Sequence, residues 1–343
     1  MKTAFFAPLQ PLLDLSIQSR EGLLTGIDVK TGHHTFVDSE TIQNILKEYG
    51  EEPAINVGGS ATNVFKVLRH LGNDCTVMGL TGSDAYAKKY QSLLEEKGIQ
   101  CKLTTVDRDT TGTALVCVDP SGERTMLTNL GAASKLHAFH VKDKDVPRNG
   151  HVHLEGYLVH HPDHLLLKLA KQAKERGCTV SLDLSDASII EGNRAYFNEV
   201  LRDEYIDVLF GNESEMRKLA DKEFPEEGCA KYAAFCNTVV VTMGKEGGWV
   251  QGNNDWMPRK FAAMPVKKEE AVDTTGAGDF FAGGFLHGWK QGDDIETCVK
   301  RGAAAAATVI QSVGTDLNEE GWALLDENIR ENTKVINSNE QAA

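Results

Sequence analysis

The chain has 343 residues, of which 41% are hydrophobic and 25% are charged. These fractions are typical of a globular protein with a sizeable core, built as one large α/β domain or two smaller ones. The formal net charge of −14, without a basic stripe or tail, argues against general binding to nucleic acid or to an anionic membrane. A phosphate-bearing ligand remains compatible with this charge, because backbone N–H groups at a helix N-terminus bind anions with few basic side chains.

The seven cysteines are scattered along the chain without a C-x-x-C pair. Their odd number and spacing indicate free thiols in a reducing compartment. The short apolar patch within residues 1–15 is interrupted by Pro8 and Pro11, unlike a signal peptide or a membrane span. We therefore expect a cytoplasmic protein, and the sequence leaves open whether it is a monomer or a homodimer.

Short β-rich runs alternate with amphipathic helical segments along most of the chain. This alternation predicts an α/β fold with a mostly parallel sheet covered by helices. In chain order the main predicted elements are strand 4–7, helix 61–71, strand 76–80, helix 85–96, strand 151–155, helix 162–176, strand 179–184, strand 208–210, helix 213–220 and strand 238–243. A packed helix with small side chains is expected around residues 303–307.

Two regions, residues about 15–55 and about 99–131, interrupt this alternation. The second carries a hairpin signal, in which Thr113–Val118 and Arg124–Leu130 flank the turn Asp119-Pro-Ser-Gly122. Both regions predict antiparallel strands in a small second sheet. We interpret this sheet as a lid inserted in a single domain that spans residues 1–343.

The segment Asp273-Thr-Thr-Gly-Ala-Gly-Asp279 begins as a loop and continues into an apolar helix. Gly276 and Gly278 allow a tight turn and a close approach to a ligand, and the following helix points its free N–H groups at that turn. An acid beside such an anion site can act as the base for an incoming hydroxyl in phosphoryl transfer. From the residues alone, an alternative stays open in which Asp279 is only a helix cap.

Two other kinds of nucleotide site are excluded by their motifs. No G-x-x-x-x-G-K-[ST] segment is present, which excludes a P-loop. A dinucleotide-binding turn would need a third glycine where Phe281 stands, and it would occur earlier in the chain.

The same glycine-rich segment resembles the C-terminal signature of the ribokinase-like (PfkB) carbohydrate and nucleoside kinases. Val57-Gly-Gly-Ser-Ala-Thr-Asn63 is similar to the N-terminal signature of that family, and further similar stretches lie between the two in the family's order. The resemblance covers nearly the whole chain. It implies a ribokinase-like three-layer αβα sandwich with a mostly parallel central sheet and a small β-sheet lid.

The resemblance also implies a phosphotransferase that uses ATP and Mg²⁺. Asp279 would be the catalytic base, and the backbone N–H groups of Gly276, Ala277 and Gly278 would form an anion hole. Arg124, on the lid hairpin, would reach the transferring phosphate. A charged residue in a solvated turn is the alternative for Arg124.

Family positions for the substrate and the nucleotide follow in the same way. The resemblance implies that Asp14, Gly58, Gly59 and Asn63 would bind the sugar. It implies that Asn212, Thr242, Gly244 and Gly247 would bind the nucleotide, that Glu215 would hold Mg²⁺ through water, and that Asp273 is a candidate ligand for a monovalent cation such as K⁺. Asn212 and Glu215 also have the spacing of a helix capping box.

The acceptor is a small-molecule nucleoside or sugar. Pro11-Leu-Leu-Asp14 and the 44 positions from Asp14 to Gly58 resemble the adenosine-kinase-like branch of the family, and Tyr157 stands where an aromatic ring could stack on a nucleobase or simply pack. Gln10 and Thr275 depart from that branch, which usually has Asn at both positions. On the features that match this branch, we expect adenosine as the acceptor, converted to AMP.

Two alternatives to an adenosine kinase stay open. One is a free-sugar kinase of the ribokinase, fructokinase or 2-keto-3-deoxygluconate kinase type, since the motif around Thr275 also resembles that of sugar kinases. The other is a catalytically silent nucleotide-binding relative. The presence of Asp279 and its glycines argues against the silent relative.

Overall fold

A computed structural model describes residues 2–19, 22–24, 26, 27, 29–161 and 163–339, with side chains up to residue 333. The strands are β1 (Ala4–Pro8), β2 (Leu12–Gln18), β3 (His34–Phe36), β4 (Ala54–Val57), β5 (Asp74–Thr81), β6 (Gln100–Thr105), β7 (Gly112–Val118), β8 (Arg124–Asn129), β9 (His151–Glu155), β10 (Thr179–Asp183), β11 (Val208–Asn212), β12 (Thr238–Thr242), β13 (Gly248–Gly252) and β14 (Arg259–Phe261). The α-helices are α1 (Ser39–Tyr49), α2 (Ser60–His70), α3 (Ala85–Glu96), α4 (Leu165–Glu175), α5 (Ala187–Arg202), α6 (Glu213–Ala220), α7 (Pro225–Tyr232), α8 (Ala277–Gln291), α9 (Ile295–Val309) and α10 (Glu319–Asn339).

The chain divides into two compact units. The first consists of Met1–Pro8, Ser60–Thr76 and His137–Ala343, and the second of Leu9–Gly59 and Val77–Leu136. Among the described helices, none is long and apolar enough to cross a membrane. All seven cysteines are free thiols, as their spacing predicts.

The first unit is built on a mostly parallel sheet in the order β14-β13-β12-β11-β10-β9-β1, and β5 begins at its β1 edge. Strands β1 and β9–β12 are parallel to one another, whereas β13 is antiparallel to both of its neighbours, β12 and β14. Valine and leucine fill the buried strands, as expected for a sheet with two covered faces. In the β9–β10 register, Asp183 pairs with Glu155, so the carboxyl ends of these two strands present acids side by side.

Helices α2, α8, α9 and α10 of this unit share one apolar cluster. Its buried members are Val67, Phe280, Ala304, Ala305, Val309, Leu317, Leu325 and Ile329. The alanines of α9 match the small-residue helix expected around residues 303–307, and the short side chains let α8 and α9 pack closely.

The second unit contains a five-stranded sheet in the order β3-β8-β7-β2-β4. The prediction of antiparallel strands there is wrong for two pairs, because β2–β7 and β3–β8 are parallel. These partners come from distant parts of the chain, so no hairpin turn sets their direction. Helix α1, capped by Asp38 and ended by Gly50 in the left-handed conformation, was also not predicted.

The fold class expected from the sequence, α/β with a mostly parallel central sheet and a second smaller sheet, is confirmed. Pro162, where the predicted helix 162–176 starts, and residues 20, 21, 25 and 28 of the predicted lid segment lie outside the described residues. The lid function of the smaller sheet stays a prediction.

Candidate active site

Residues 273–276 of the first unit form the turn that leads into α8, and residues 277–279 belong to the first turn of that helix. Gly276 has a φ of 75°, in the left-handed region, and the helix begins at the next residue. A side chain at position 276 would be strained in that conformation, and its Cβ would lie 2.4 Å from Cγ2 of Thr315. Both the backbone and the neighbouring side chain therefore require glycine here.

The N-terminus of α8 starts without a side-chain cap. Its N-cap residue, Gly276, makes no side-chain hydrogen bond, and the Ala277 N–H makes a long bond of 3.3 Å to the Thr274 carbonyl oxygen. The first N–H groups and the positive end of the dipole of a helix attract anions. The anion hole at Gly276, Ala277 and Gly278 stays a prediction.

Asp273 anchors the start of this turn. Its Oδ1 accepts a hydrogen bond of 3.0 Å from the Thr275 N–H, and its Oδ2 accepts one of 2.7 Å from the Gly314 N–H. These two bonds hold the carboxylate against the start of the turn and against the segment that follows α9. Its role as a ligand of a monovalent cation stays a prediction.

Asp279, in the first turn of α8, is held by two donors from α2. The Ser60 hydroxyl donates to Oδ1 at 2.7 Å, and the Asn63 side-chain amide donates to Oδ2 at 2.8 Å. Asn63 is buried, and its own Oδ1 has no partner among the described protein atoms. An unpartnered amide oxygen can accept a hydrogen bond from a hydroxyl, and the sugar contact of Asn63 stays a prediction.

Packing beside Asp279 fixes how deeply its carboxylate lies. The next residue, Phe280, is fully buried and stacks on Trp322 of α10, with 6.0 Å between ring centroids. Asp279 itself keeps partial exposure. A ligand can therefore reach a carboxylate whose position is set by the core.

The surroundings of Asp279 make its carboxylate more basic. Burial raises its pKa, while the hydrogen bonds from Asn63 and Ser60 and the positive charge of Lys66 act in the opposite direction. The net shift is upward. A carboxylate with a raised pKa is a better acceptor for a hydroxyl proton.

Further acids gather where β9, β10 and β11 end. Burial raises the pKa of Asp183 well above its usual value, and the negative charges of Glu215, Asp279 and Glu155 add to this. Burial likewise raises the pKa of Glu215 to about 7, against the effect of its hydrogen bond with the Asn212 backbone. The crowding of carboxyl groups at the end of the sheet therefore favours the protonated forms of Asp183 and Glu215.

Tyr157 lies beside these acids, in the short 3₁₀ helix Gly156–His160 that follows β9. Burial raises the pKa of its phenol, and the nearby Asp186 and Asp279 add to the shift. The tyrosine is partly exposed, which is compatible with both interpretations of the sequence, stacking on a base or packing at the rim.

Asn212 and Glu215 form the capping box that their spacing predicts. The Asn212 side chain accepts from the Glu215 N–H at 3.0 Å, and Glu215 Oε2 accepts from the Asn212 N–H at 2.8 Å. Glu215 Oε1 also accepts from the Asn212 amide at 2.6 Å. The two side chains are thus fixed at the start of α6, next to the end of β11.

Three predicted nucleotide positions lie on the connection between β12 and β13. Thr242 ends β12, Gly244 starts a single 3₁₀ turn, and Gly247 has a φ of 80°. The Met243 N–H donates to the Gly247 carbonyl oxygen at 2.7 Å, which closes this connection into a compact loop.

In the second unit, Asp14 and Gly58 are brought together. Asp14 lies within β2, and β2 pairs with β4 just before Gly58. A Cβ on Gly58 would lie 2.1 Å from Oδ1 of Asp14, so only glycine leaves room for this carboxylate. Gly59 follows with a φ of 94°, and Arg124 begins β8 with partial exposure.

Sequence comparison connects this geometry to known proteins. The sequence profile of the pfkB family carbohydrate kinases matches residues 32–321. The chain belongs to the PfkB family. As a member, it is a phosphotransferase that acts on a hydroxyl group, with ATP as the co-substrate.

Two curated relatives and one solved structure illustrate where this PfkB protein stands. It is 28% identical over 336 residues to adenosine kinase 2 of Arabidopsis thaliana, covering 90% of this chain and 94% of the relative. It is 31% identical over 252 residues to the ATP-dependent ribose-1-phosphate kinase of Halopiger xanaduensis, covering 73% and 79%. The crystal structure of adenosine kinase from Sinorhizobium meliloti superposes with a TM-score of 0.83 at 25% identity, covering 95% of this chain and 99% of that one.

Several residues that this PfkB protein brings to Asp279 were not predicted as site residues. Ser60 directly follows the glycine pair and could have been found as a polar residue at a helix start. Asp183 ends the buried strand β10 and Asp186 follows it, at the carboxyl edge where ligands bind parallel sheets. Lys66 and Thr315 are 249 positions apart, and no sequence pattern connects them.

Proposed function

We propose that this PfkB protein transfers the γ-phosphoryl group of ATP to the 5′-hydroxyl of adenosine and so makes AMP. The observation that carries the proposal is the placement of Asp279. Its carboxylate is oriented by Ser60 and Asn63 at the open N-terminus of α8. A base and an anion site thus adjoin each other within one helical turn, which is the pairing that phosphoryl transfer needs.

In the proposed reaction, Asp279 accepts the proton of the acceptor hydroxyl as its oxygen forms a bond to the γ-phosphorus. The bond between that phosphorus and the bridging oxygen of ADP breaks, and ADP leaves. The N–H groups of Gly276, Ala277 and Gly278 stabilise the charge on the phosphoryl oxygens. Arg124 contributes a further positive charge.

Asp14, Gly58 and Gly59 are the proposed ribose contacts of the second unit, and Asn63 is the proposed ribose contact of the first unit. A carboxylate binds two adjacent hydroxyls with its two oxygens, and a ribose offers such a pair. Tyr157 is the proposed partner of the nucleobase. The nucleotide would lie near Asn212, Thr242, Gly244 and Gly247.

The residues at the end of the sheet fit Mg²⁺ delivered with ATP. Among the described residues, no group of three or more histidine, cysteine, aspartate or glutamate side chains could hold a metal ion by itself. Mg²⁺ commonly uses one or two carboxylates together with water and substrate phosphates. Glu215 would hold such an ion through water, and the ion would offset the charge of the phosphates.

A monovalent cation at Asp273, a cytoplasmic location and a monomeric or homodimeric state complete the proposal. The cation is tested by comparing turnover in KCl with turnover in tetramethylammonium chloride at equal ionic strength. Light scattering tests the oligomeric state, and cell fractionation tests the cytoplasmic location.

The test of the proposed function is ATP consumption across adenosine, other ribonucleosides, ribose, fructose and 2-keto-3-deoxygluconate. We expect the highest kcat/KM with adenosine, and a product that comigrates with AMP. Turnover with a free sugar alone would assign the chain to the sugar kinases. A folded protein that consumes ATP with none of these acceptors would favour a silent relative.

A further inference from the structure

Lys66 is a buried lysine whose positive charge lowers the pKa of Asp279, and the reaction described above gives it no further role. It lies on α2, three residues after Asn63, with only 3% of the residue exposed. Its ammonium is paired, with Asp316 Oδ1 at 2.7 Å and Thr315 Oγ1 at 3.0 Å. Because a buried ion pair contributes little net stability compared with apolar packing, stability alone does not account for a lysine here.

The two partners of Lys66 belong to the segment 310–318, between α9 and α10, which also contacts the glycine turn. The Ile310 carbonyl oxygen accepts from the Asp273 N–H at 3.2 Å, and Asp273 Oδ2 accepts from the Gly314 N–H at 2.7 Å. Thr315 Cγ2 lies 2.4 Å from the place where a Cβ on Gly276 would stand. This segment therefore forms the support on which the anion-binding turn rests.

The helix that carries Lys66 also carries both donors to the catalytic base. Ser60 and Asn63 hold the two oxygens of Asp279, and Lys66 follows on the same helix. One rigid element thus contacts Asp279 at its start and the support of the glycine turn about one turn later.

We propose that Lys66 is a positioning residue for phosphoryl transfer. By binding Thr315 and Asp316, it fixes the glycine turn relative to Asp279, so that the N–H groups and the base face the same phosphoryl group. The inference rests on the proposed function and names a residue that acts through others, without touching substrate.

The first test is Lys66→Met, which keeps most of the side-chain length and removes the ammonium. A displacement of the turn by about 1 Å is enough to lower kcat by about 100-fold. We expect that loss with an acceptor KM within about threefold of the wild-type value, because the ribose grip is unchanged. A folded variant with wild-type kcat would overturn the proposal.

Lys174→Met is the control for removing a lysine–aspartate pair elsewhere in the first unit. Lys174 also forms a lysine–aspartate pair in the first unit, with Asp207 at 2.9 and 2.8 Å, and neither residue belongs to α2 or to segment 310–318. We expect its kcat to stay within about twofold of wild type. A loss equal to that of Lys66→Met would show a general effect of removing a lysine pair and would overturn the proposal.

A double-mutant cycle tests the route through Thr315. Thr315→Val keeps the branched shape against Gly276 and removes the hydroxyl that Lys66 binds. If Lys66 acts through this contact, the double variant will lose about as much kcat as Lys66→Met alone. Fully additive losses would contradict the route. If Lys66→Met does not fold, Thr315→Val and Asp316→Asn replace it, and wild-type kcat in both would overturn the proposal.

Wild-type turnover on the acceptor panel is measured first, which separates this inference from the proposed function. If a sugar is the acceptor, the same variants are assayed with that sugar. If no acceptor is used, calorimetry with inorganic phosphate probes the glycine turn directly. We expect Lys66→Met to bind phosphate about tenfold more weakly than wild type, and equal affinity would overturn the inference.

Discussion

The role of Asp279 can be isolated by Asp279→Asn because the structure accommodates this change without repacking. The Asn63 amide nitrogen can only donate, so the new amide oxygen must face it, in the place of Oδ2 at 2.8 Å. The new amide nitrogen then faces the Ser60 oxygen, in the place of Oδ1 at 2.7 Å. The serine hydroxyl can rotate and accept this bond. Both hydrogen bonds survive, and only the basicity is lost.

The expected loss of activity is therefore that of general-base catalysis alone. Proton transfer by a positioned base contributes about 10²–10⁴-fold, and we expect kcat to fall by about 10³-fold, or ~4 kcal/mol of transition-state stabilisation. The measurement is steady-state ADP release with saturating ATP and acceptor, with ATP binding followed by calorimetry. We expect the ATP affinity to be unchanged, since the glycine turn is intact.

The same variant, which lowers activity, is expected to keep or raise the thermal stability of the protein. Burial raises the pKa of Asp279 in the folded protein, so protonation favours the folded state, and this contribution is lost as pH rises through the folded pKa. At pH 8 the ionised carboxylate is destabilising, and Asp279→Asn should melt at or above the wild-type temperature, with a smaller difference near pH 4. A kcat within about tenfold of wild type would refute Asp279 as the base. A strongly lowered melting temperature would refute the accommodation described above.

Three further predictions concern other residues of the site. Asp14→Ala should raise the acceptor KM by at least about tenfold with a smaller change in kcat, and an unchanged KM in initial-rate assays would contradict the ribose grip. Gly276→Ala should lose about 1–3 kcal/mol of stability from its positive φ and the contact with Thr315, whereas Gly278→Ala, whose Cβ meets no atom within 4 Å, should melt like the wild type. Equal melting temperatures of the two variants would disprove the steric argument. Because the pKa of Glu215 in the folded protein is raised to about 7, its contribution to the free energy of unfolding is lost as pH rises from about 4.5 through 7. In EDTA without nucleotide, Glu215→Gln should flatten this decline, as measured by urea titrations at several pH values. An unchanged slope of unfolding free energy against pH would count against the raised pKa.

Much of the main sheet could be predicted because its signals are local. The buried runs that became β9, β11 and β12 are bounded by turn residues, and the predicted bounds of α3 and α6 match the observed ones. The capping box that starts α6 was recognised from two residues three positions apart. Patterns of this kind lie within one turn or one strand, where propensity and capping decide the structure.

The mixed direction of the smaller sheet could not be predicted from local patterns. β2 and β7 align in parallel with Leu12 opposite Gly112, about 100 positions away, and no turn chemistry connects them. Helix α1 was not predicted for a different reason. Its cap at Asp38 and its stop at Gly50 were readable signals, but the surrounding short β-like pieces favoured strands.

The candidate site likewise has parts that local sequence patterns predict and parts that depend on long-range contacts. The glycine turn and Asp279 stand in one segment, so their chemistry is visible in the sequence. The donors that hold Asp279 come from more than 200 positions away, and the contact between Lys66 and Thr315 spans 249. Such contacts depend on how α2, α8 and the segment 310–318 pack, which only the folded chain defines.

The measurement that tests the central claim most directly is a competition between adenosine and ribose at equal concentrations, with limiting ATP and Mg²⁺. Phosphorus NMR and mass spectrometry identify the phosphorylated product. We predict that AMP and ADP form in equal amounts while ribose is left unchanged. Ribose phosphate as the main product, or loss of ATP without any phosphorylated acceptor, would contradict the assignment of adenosine as the substrate.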